Sequence, residues 1–191
     1  MDVSRRAWRA DLAADTEGRV ISGVAVPWDS PTMIAERGRV FEERFAPGAF
    51  DDSIAKRGDR IPILLMHDDR ALPVGKAVGF KNDRNGQVLE ARISDTTDGN
   101  DALTLVRDGV LSGLSVGFSV PEGGDSWSAD YTQRTVNRAT LHEVSIVNFP
   151  AYDDARISSV RAAQEVPVVE EVRTEASDSA AFLLRLWSKR A

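Results

Sequence analysis

The 191-residue sequence has no cysteine, only two histidines and no excess of positive charge. The absence of cysteine excludes disulfides, thiol catalysis and cysteine-ligated zinc, and it makes the cytosol the expected compartment. The net charge of −6 argues against direct binding of nucleic acid, because phosphate contacts need clustered Lys and Arg. Since no thiol is present, the histidines are the first candidates for acid–base chemistry.

Long apolar runs are also missing. No stretch approaches the roughly 18 to 20 apolar residues that a membrane span needs. Residues 1–18 carry charges but lack the apolar core of a secretory signal. What the chain does have is 42% hydrophobic and 28% charged residues, which is typical of a globular domain. We therefore expect one soluble domain with no membrane partner.

Short alternating apolar segments predict a mostly β, α+β fold with a partly closed sheet. One strand is expected to contain Gly23 as a bulge or a point of close approach, and Asn85-Gly86 is a hairpin signal. A flexible loop is expected over 121–130. The segment 39–50 alternates and contains a turn at Pro47-Gly48, and 131–149 is expected to form one or two strands. The other predicted strands cover 7–12, 19–27, 61–67, 74–80, 87–94 and 111–120.

Two short helices are also predicted. The first covers 49–57 and is ended by Gly58. The second covers 98–110 and is capped near Asp98. Its apolar residues, which recur at helical spacing, are Leu103, Val106 and Val110.

The composition changes near residue 161. The domain is expected to end at residue 160, and 161–191 begins as an acidic stretch without a packable pattern, which is typical of a linker. The tail ends in a short segment with one apolar face, which would need a partner to form a stable helix. The residues of that face are Phe182, Leu183, Leu186 and Trp187.

His67 ends the apolar run 61–67. If the strand continues through it, alternation places His67 on the same face as Ile61 and Ile63. It would then stand at the end of a buried stripe, next to a charged run. A general base is one interpretation, and a hydrogen-bonded histidine at a sheet edge is the other.

Ser115 lies within GLSVGF, between Gly113 and Gly117. Alternation sends Leu114 and Phe118 to the core and puts Ser115 on the glycine face. Residues without side chains would let a substrate backbone approach the hydroxyl. The alternative is a glycine-rich strand that packs against another backbone.

Glu143 lies in an apolar strand, and alternation places it on one face with Leu141, Ser145 and Val147. A carboxylate there is costly unless it has a partner, and a histidine ring nitrogen would be one. The alternative is a charge on an edge strand that faces water.

Five blocks of the sequence, covering roughly residues 10–160, resemble the tailed-phage prohead protease family. They are RVISGVAVPWDS, FEERFAPGAFDDSI, ILLMHDDRALPVGKAVGF, ALTLVRDGVLSGLSVGF and LHEVSIVNFPAYDDA. The fold and active site of that family are similar to those of herpesvirus assemblin. The resemblance therefore implies a closed or partly closed β-barrel with a few flanking helices.

The resemblance also implies that His67, Ser115 and Glu143 form the active site. The herpesvirus relatives place a second histidine where this chain places Glu143, so His142 stays an alternative third member. The implied activity is that of a serine endopeptidase without cofactor or metal. It would cleave scaffold protein, or the scaffold-like region of the capsid protein, during prohead maturation in the host cytoplasm, and it would also cleave itself.

The implied partners are the major capsid protein and the scaffold protein, and a homo-oligomer is left open. With such partners, we interpret 161–191 as a scaffold-docking or self-cleaved tail. Two alternative functions are left open. One is a catalytically inactive scaffold or structural protein of the prohead. The other is a metallohydrolase using His67, Asp68 and Asp69, which is disfavoured because zinc sites usually need more histidine or cysteine.

Overall fold

The computed structural model describes residues 3–9, 13–14, 19–36 and 38–148. Within these ranges the chain forms twelve β-strands and two α-helices. The predicted mostly β, α+β architecture is therefore confirmed. The predicted tail over 161–191 lies outside the described residues. None of the helices that the structure describes is long and apolar enough to cross a membrane.

The strands divide between two sheets. The larger sheet contains β1 (Ser4–Arg9), β2 (Ala13–Ala14), β3 (Val20–Pro27), β6 (Pro62–Leu65), β7 (Gly75–Asp83), β8 (Gly86–Ile93), β9 (Gly113–Ser119) and β12 (Thr140–Val147). The smaller sheet contains β4 (Thr32–Glu36), β5 (Arg39–Phe45), β10 (Asp125–Trp127) and β11 (Gln133–Val136).

The eight strands of the larger sheet follow the order β1-β9-β12-β6-β7-β8-β3-β2. β12 pairs with β9 antiparallel and with β6 parallel, so it lies between them. β3 and β9 are far apart in this order, yet their residues approach each other, because the sheet is curled into a half-barrel. Its two end strands, β1 and β2, are not paired with each other among the described residues, so a closed barrel is not established.

The helices follow the prediction with small shifts. α1 (Asp51–Arg57) ends at Gly58, as expected, and a 3-10 turn (Gly58–Arg60) follows it. α2 (Thr97–Arg107) is capped by Thr96 rather than near Asp98, since the Thr96 hydroxyl accepts a hydrogen bond from the Gly99 N–H. Val110 is 58% exposed because the helix ends before it, so its predicted place on the buried face was wrong.

A bulge at Gly23 and a flexible loop over 121–130 are two local predictions that were wrong. Gly23 pairs regularly with Leu89, and the irregularity in β3 falls between Val24 and Val26 instead. The stretch predicted as a flexible loop contains β10, which pairs with β11. The Trp127 ring stabilises β10, because it packs edge-on against Phe41 of β5 with 4.9 Å between the ring centroids.

The core lies inside the curled sheet. β9 contributes Leu114, Val116 and Phe118, all fully buried as alternation predicted. Phe118 contacts two other buried rings, with centroid distances of 5.1 Å to Phe45 and 6.0 Å to Phe50. Phe50 directly precedes α1, so these rings attach the helix to the strand that carries Ser115.

A buried ion network joins the two sheets. Arg6 of β1 binds Glu43 of β5 at 2.6 Å and Glu36 of β4 at 2.8 Å. Arg134 of β11 binds the other Glu43 oxygen at 2.9 Å. Burial disfavours the charged guanidinium of Arg6, but Glu43 and Glu36 outweigh burial and raise its pKa above the ordinary value. The network therefore fastens the smaller sheet to the strand beside β9.

Candidate active site

His67 lies in a tight turn, not on a strand. β6 ends at Leu65, and Met66 and His67 both have positive φ, 52° and 59°. The Asp68 N–H donates to the Leu65 carbonyl at 3.0 Å and closes the turn. Positive φ at both central residues is the pattern of a type I′ turn. The prediction that alternation carries His67 onto the Ile61 face was wrong, because this turn sets the direction of the ring.

The turn is held by β12, the strand beside it. The Met66 N–H donates to the Ile146 carbonyl at 3.1 Å, which extends the parallel pairing of β6 by one bond. The next N–H along the chain, that of His67, donates to the Ser145 hydroxyl at 3.2 Å. The backbone of His67 is thus fixed to a side chain of its neighbouring strand. Such support offsets the cost of non-glycine residues in the left-handed region.

Ser115 lies at the centre of β9, with Ala7 opposite it on β1 and Ser145 opposite it on β12. Its exposed fraction is 0%. The neighbouring Gly117 has a function other than the predicted one. A Cβ at Gly117 would clash with Glu143 Oε1, so this glycine makes room for the carboxylate rather than for a substrate.

Glu143 reaches the Ser115 face because β12 contains a bulge. Leu141 is opposite Phe118 and Glu143 is opposite Gly117, so His142 is an extra residue without a counterpart on β9. Leu141 accordingly belongs to the core, while Glu143 lies on the opposite face. The prediction that Leu141 and Glu143 share a face was wrong, since strict alternation does not hold across a bulge.

The imidazole of His67 bridges the other two predicted residues. Its Nε2 lies 2.5 Å from Ser115 Oγ, and its Nδ1 lies 2.7 Å from Glu143 Oε1. A carboxylate only accepts, so Nδ1–H donates to Glu143 and Nε2 accepts the Ser115 proton. The side chains of His67 and Glu143 are 18% and 12% exposed, so the bridge is largely shielded from water.

Ser145 belongs to the same hydrogen-bond network, although the sequence reasoning gave it no role. Its hydroxyl donates to Glu143 Oε2 at 2.7 Å and accepts the His67 N–H. Ser145 is fully buried. Its place two residues after Glu143, on the same face of a strand, was the signal that could have indicated it.

His142, the alternative third member, points its ring at a different residue. Its Nε2 lies 2.9 Å from Ser119 Oγ. Burial, and then the nearby Arg57 guanidinium, lower its pKa below the ordinary value of 6.5, and Glu143 opposes them. The structure therefore brings Glu143, rather than His142, to the ring of His67.

Asp68 and Asp69 do not join His67 in a cluster of metal ligands. Asp68 accepts a hydrogen bond from the Arg70 N–H, and Asp69 pairs with Arg5 across 3.7 Å on the surface. No group of three potential metal ligands occurs in the part of the chain that the structure describes. These two aspartates instead support the turn and the surface near it.

A hydroxyl, an imidazole and a carboxylate in this hydrogen-bonded order are the groups that serine hydrolases use. The geometry thus defines a candidate serine hydrolase site on a mostly β fold. A family model described as caudovirus prohead serine protease matches residues 7–168 of the chain. The chain belongs to this family, and the resemblance seen in its sequence is confirmed.

Two known proteins are similar to this chain. The prohead protease of Enterobacteria phage HK97 is 28% identical over 135 residues, which cover 70% of this chain and 59% of the HK97 protein. The chain thus matches less than two thirds of that relative's length. The capsid assembly protease gp21 of bacteriophage T4 has a similar fold, with a TM-score of 0.55 and 15% identity, over 78% of this chain and 98% of gp21.

Proposed function

We propose that this chain is a serine endopeptidase of capsid maturation, with Ser115 as nucleophile, His67 as general base and Glu143 as the residue that orients the base. The observation that carries the proposal is the position of the His67 ring, 2.5 Å from Ser115 Oγ and 2.7 Å from Glu143 Oε1. Membership of the prohead serine protease family supports the same reaction class.

The chemistry follows from these contacts. Ser115 Oγ attacks the scissile carbonyl while His67 Nε2 takes its proton, and the tetrahedral intermediate then expels the amine, which receives that proton. Water, activated by the same Nε2, hydrolyses the acyl-enzyme and restores the serine. In both acylation and deacylation, Glu143 accepts the hydrogen bond from Nδ1–H and stabilises the imidazolium.

Access to the nucleophile is the second element of the mechanism. Ser115 has no exposed surface in this structure, so a peptide carbonyl reaches Oγ only after neighbouring groups move. A buried hydroxyl beside a shielded His67–Glu143 pair is protected from water until substrate arrives. The chain would thus make its nucleophile available only to a segment that can displace its surroundings.

The substrate we propose is the scaffold protein, or the scaffold-like region of the major capsid protein, and the chain would also cut itself. The relatives are named as a prohead protease and a capsid assembly protease, and this supports capsid components as partners. The reaction would take place inside the assembling prohead in the host cytoplasm. An assemblin-like barrel, more closed than the described half-barrel, would be the complete form of the fold.

The deciding experiment incubates the purified chain with the capsid and scaffold proteins of the same phage and identifies the products by mass spectrometry. Ser115→Ala should lower cleavage by roughly 10⁶-fold, because triad members act as a unit. Ser112→Ala, just before β9, is the matched control and should cleave normally. Cleavage by Ser115→Ala would refute the proposal, and a folded wild-type chain that cuts nothing would favour the inactive scaffold protein.

The tail over 161–191 carries a separate proposal, that it docks the protease in the prohead and is removed by self-cleavage. The acidic stretch 164–180 and the short apolar face that follows it support this. A chain ending at residue 160 should still cut a supplied substrate but should not be packaged. If that shortened chain unfolds, the tail belongs to the domain and does not serve for docking.

A further inference from the structure

The position of Glu143 depends on the single extra residue in β12. Leu141 is opposite Phe118 and Glu143 is opposite Gly117. If the strand were regular, Glu143 would lie opposite Val116, and its side chain would point into the core that Leu141, Val144 and Val116 form. Whatever holds the bulge therefore decides whether Glu143 reaches His67.

Helix α1 supplies a hydroxyl to this bulge. The Leu141 N–H donates to Ser53 Oγ at 2.9 Å, and the contact is buried. β6 pairs with β12 only from Val144 onward, so this end of β12 has α1 as its neighbour on that side. Ser53 is itself buried in α1. A buried N–H without an acceptor would be unfavourable, so this hydroxyl fixes Leu141 on one side of the extra residue, while pairing with β6 fixes Val144 on the other.

The extra residue has its own anchor. His142 bonds to Ser119 of β9 through Nε2 at 2.9 Å, so the bulge is held by a serine on each side of β12. The two serines bind different parts of β12. Ser53 binds the strand backbone, whereas Ser119 binds only the His142 side chain. Ser53 is therefore the anchor that fixes the backbone on the Leu141 side of the bulge.

We propose that Ser53 is a positioning residue of the active site, which acts by holding the β12 bulge and thereby keeping Glu143 in contact with His67. This inference rests on the proposed function for its activity readout. Its geometric content, that the Ser53 hydroxyl maintains the His67–Glu143 hydrogen bond, can be measured in the free protein.

The activity test uses a quenched peptide spanning a junction that the wild-type chain cuts. Ser53→Ala should lower kcat by on the order of tenfold to a hundredfold with KM unchanged, since a misplacement of about 1 Å at a catalytic group costs that much. Ser53→Thr keeps the acceptor oxygen and should restore kcat. Asp52→Ala, an exposed position on the same helix, is the matched control and should leave kcat unchanged.

A double-mutant comparison separates positioning from general weakening of the fold. In a Glu143→Ala background, which has no side chain left to position, Ser53→Ala should cause little further loss, because Ser53 acts through Glu143. If the two losses multiply, or if Ser53→Ala cleaves at the wild-type rate, the inference is wrong. Full activity of Ser53→Ala beside an inactive Ser115→Ala would reject this inference and leave the proposed function standing.

A second measurement needs no substrate. The Nδ1 proton of His67, hydrogen-bonded to Glu143, should give a downfield proton resonance by NMR, identified by its loss in His67→Ala. Ser53→Ala should shift or broaden this resonance, and Asp52→Ala should not. An unchanged resonance in Ser53→Ala would overturn the inference even if no cleavable substrate is found.

Discussion

The Glu143 carboxylate fills the space that a side chain at Gly117 would occupy across the β9–β12 pair. Gly117 is buried, and the nearest atoms that a Cβ there would meet all belong to the Glu143 side chain. The position of the Glu143 carboxylate therefore requires a glycine at residue 117, although 25 other residues separate the two in the chain.

Gly117→Ala should consequently disable the site without removing any functional group. The new methyl group would displace Glu143 Oε1 from His67 Nδ1, and we expect a loss of about a hundredfold in kcat. Cleavage kinetics and a thermal melt would be measured together. Gly79→Ala is the control, because its methyl group would meet only the Glu90 side chain at 3.3 Å. Normal kcat in Gly117→Ala would show that Glu143 is not held there.

Substitution of His67 or Ser115 should abolish activity, whereas substitution of Glu143 should only reduce it. His67→Ala should be as inactive as Ser115→Ala, and combining the two should cost little more. Glu143→Gln should lose less, since an amide oxygen still accepts from Nδ1–H but does not counter the imidazolium. His142→Ala should keep most of its activity, because its ring bonds to Ser119. Single-turnover cleavage by each variant checks these expectations. An essential His142 beside a dispensable Glu143 would mean that the third member is His142.

Ser145→Ala should weaken both activity and stability. The variant leaves Glu143 Oε2 without its donor and the His67 N–H without its acceptor, and both groups lie in a largely buried site. A stability loss of about 1–3 kcal/mol is expected for such unsatisfied groups, with a fall in kcat of roughly tenfold. Urea unfolding and peptide cleavage measure the two effects. Ser126→Ala, on the exposed side of β10, should change neither, and a similar loss there would argue against a local cause.

The stability of the domain should depend on pH through His142. Its folded-state pKa lies below 6.5 because of burial and the Arg57 guanidinium, so the unfolded chain binds the proton more readily. The contribution is fully present above pH 6.5 and is lost as the pH falls through the folded-state pKa. In His142→Gln this part of the pH dependence should disappear. Unfolding free energies from about pH 8 to about pH 5 would test it. Equal slopes in both proteins would contradict it.

The sequence predicted the strands with regular alternation well and those with irregularities poorly. The core face of β9 followed directly from alternation at Leu114 and Phe118. The face of Glu143 did not, because the extra residue His142 reverses the face to which each later side chain of β12 points. The direction of His67 was missed as well, since left-handed backbone at Met66 is stabilised by neighbouring strands rather than by local sequence preference.

Residues whose contacts come from distant segments were the hardest to predict. Ser53 and Ser145 are ordinary serines in a helix and a strand, and their roles depend on Leu141 and His67. β10 was missed because its pairing partner and the ring contact of Trp127 lie elsewhere in the chain. The family resemblance did indicate which three residues the fold brings together, but not how.

β12 lies between the strand that leads to His67 and the strand that carries Ser115, and it is the last strand described. During synthesis His67 and Ser115, the proposed base and nucleophile, therefore leave the ribosome before the strand that lies between their strands. A nascent chain that ends between β9 (Gly113–Ser119) and β12 (Thr140–Val147) contains both residues but lacks the strand that places them side by side. A chain that ends there would therefore lack the proposed active site, which would form only once β12 has been made.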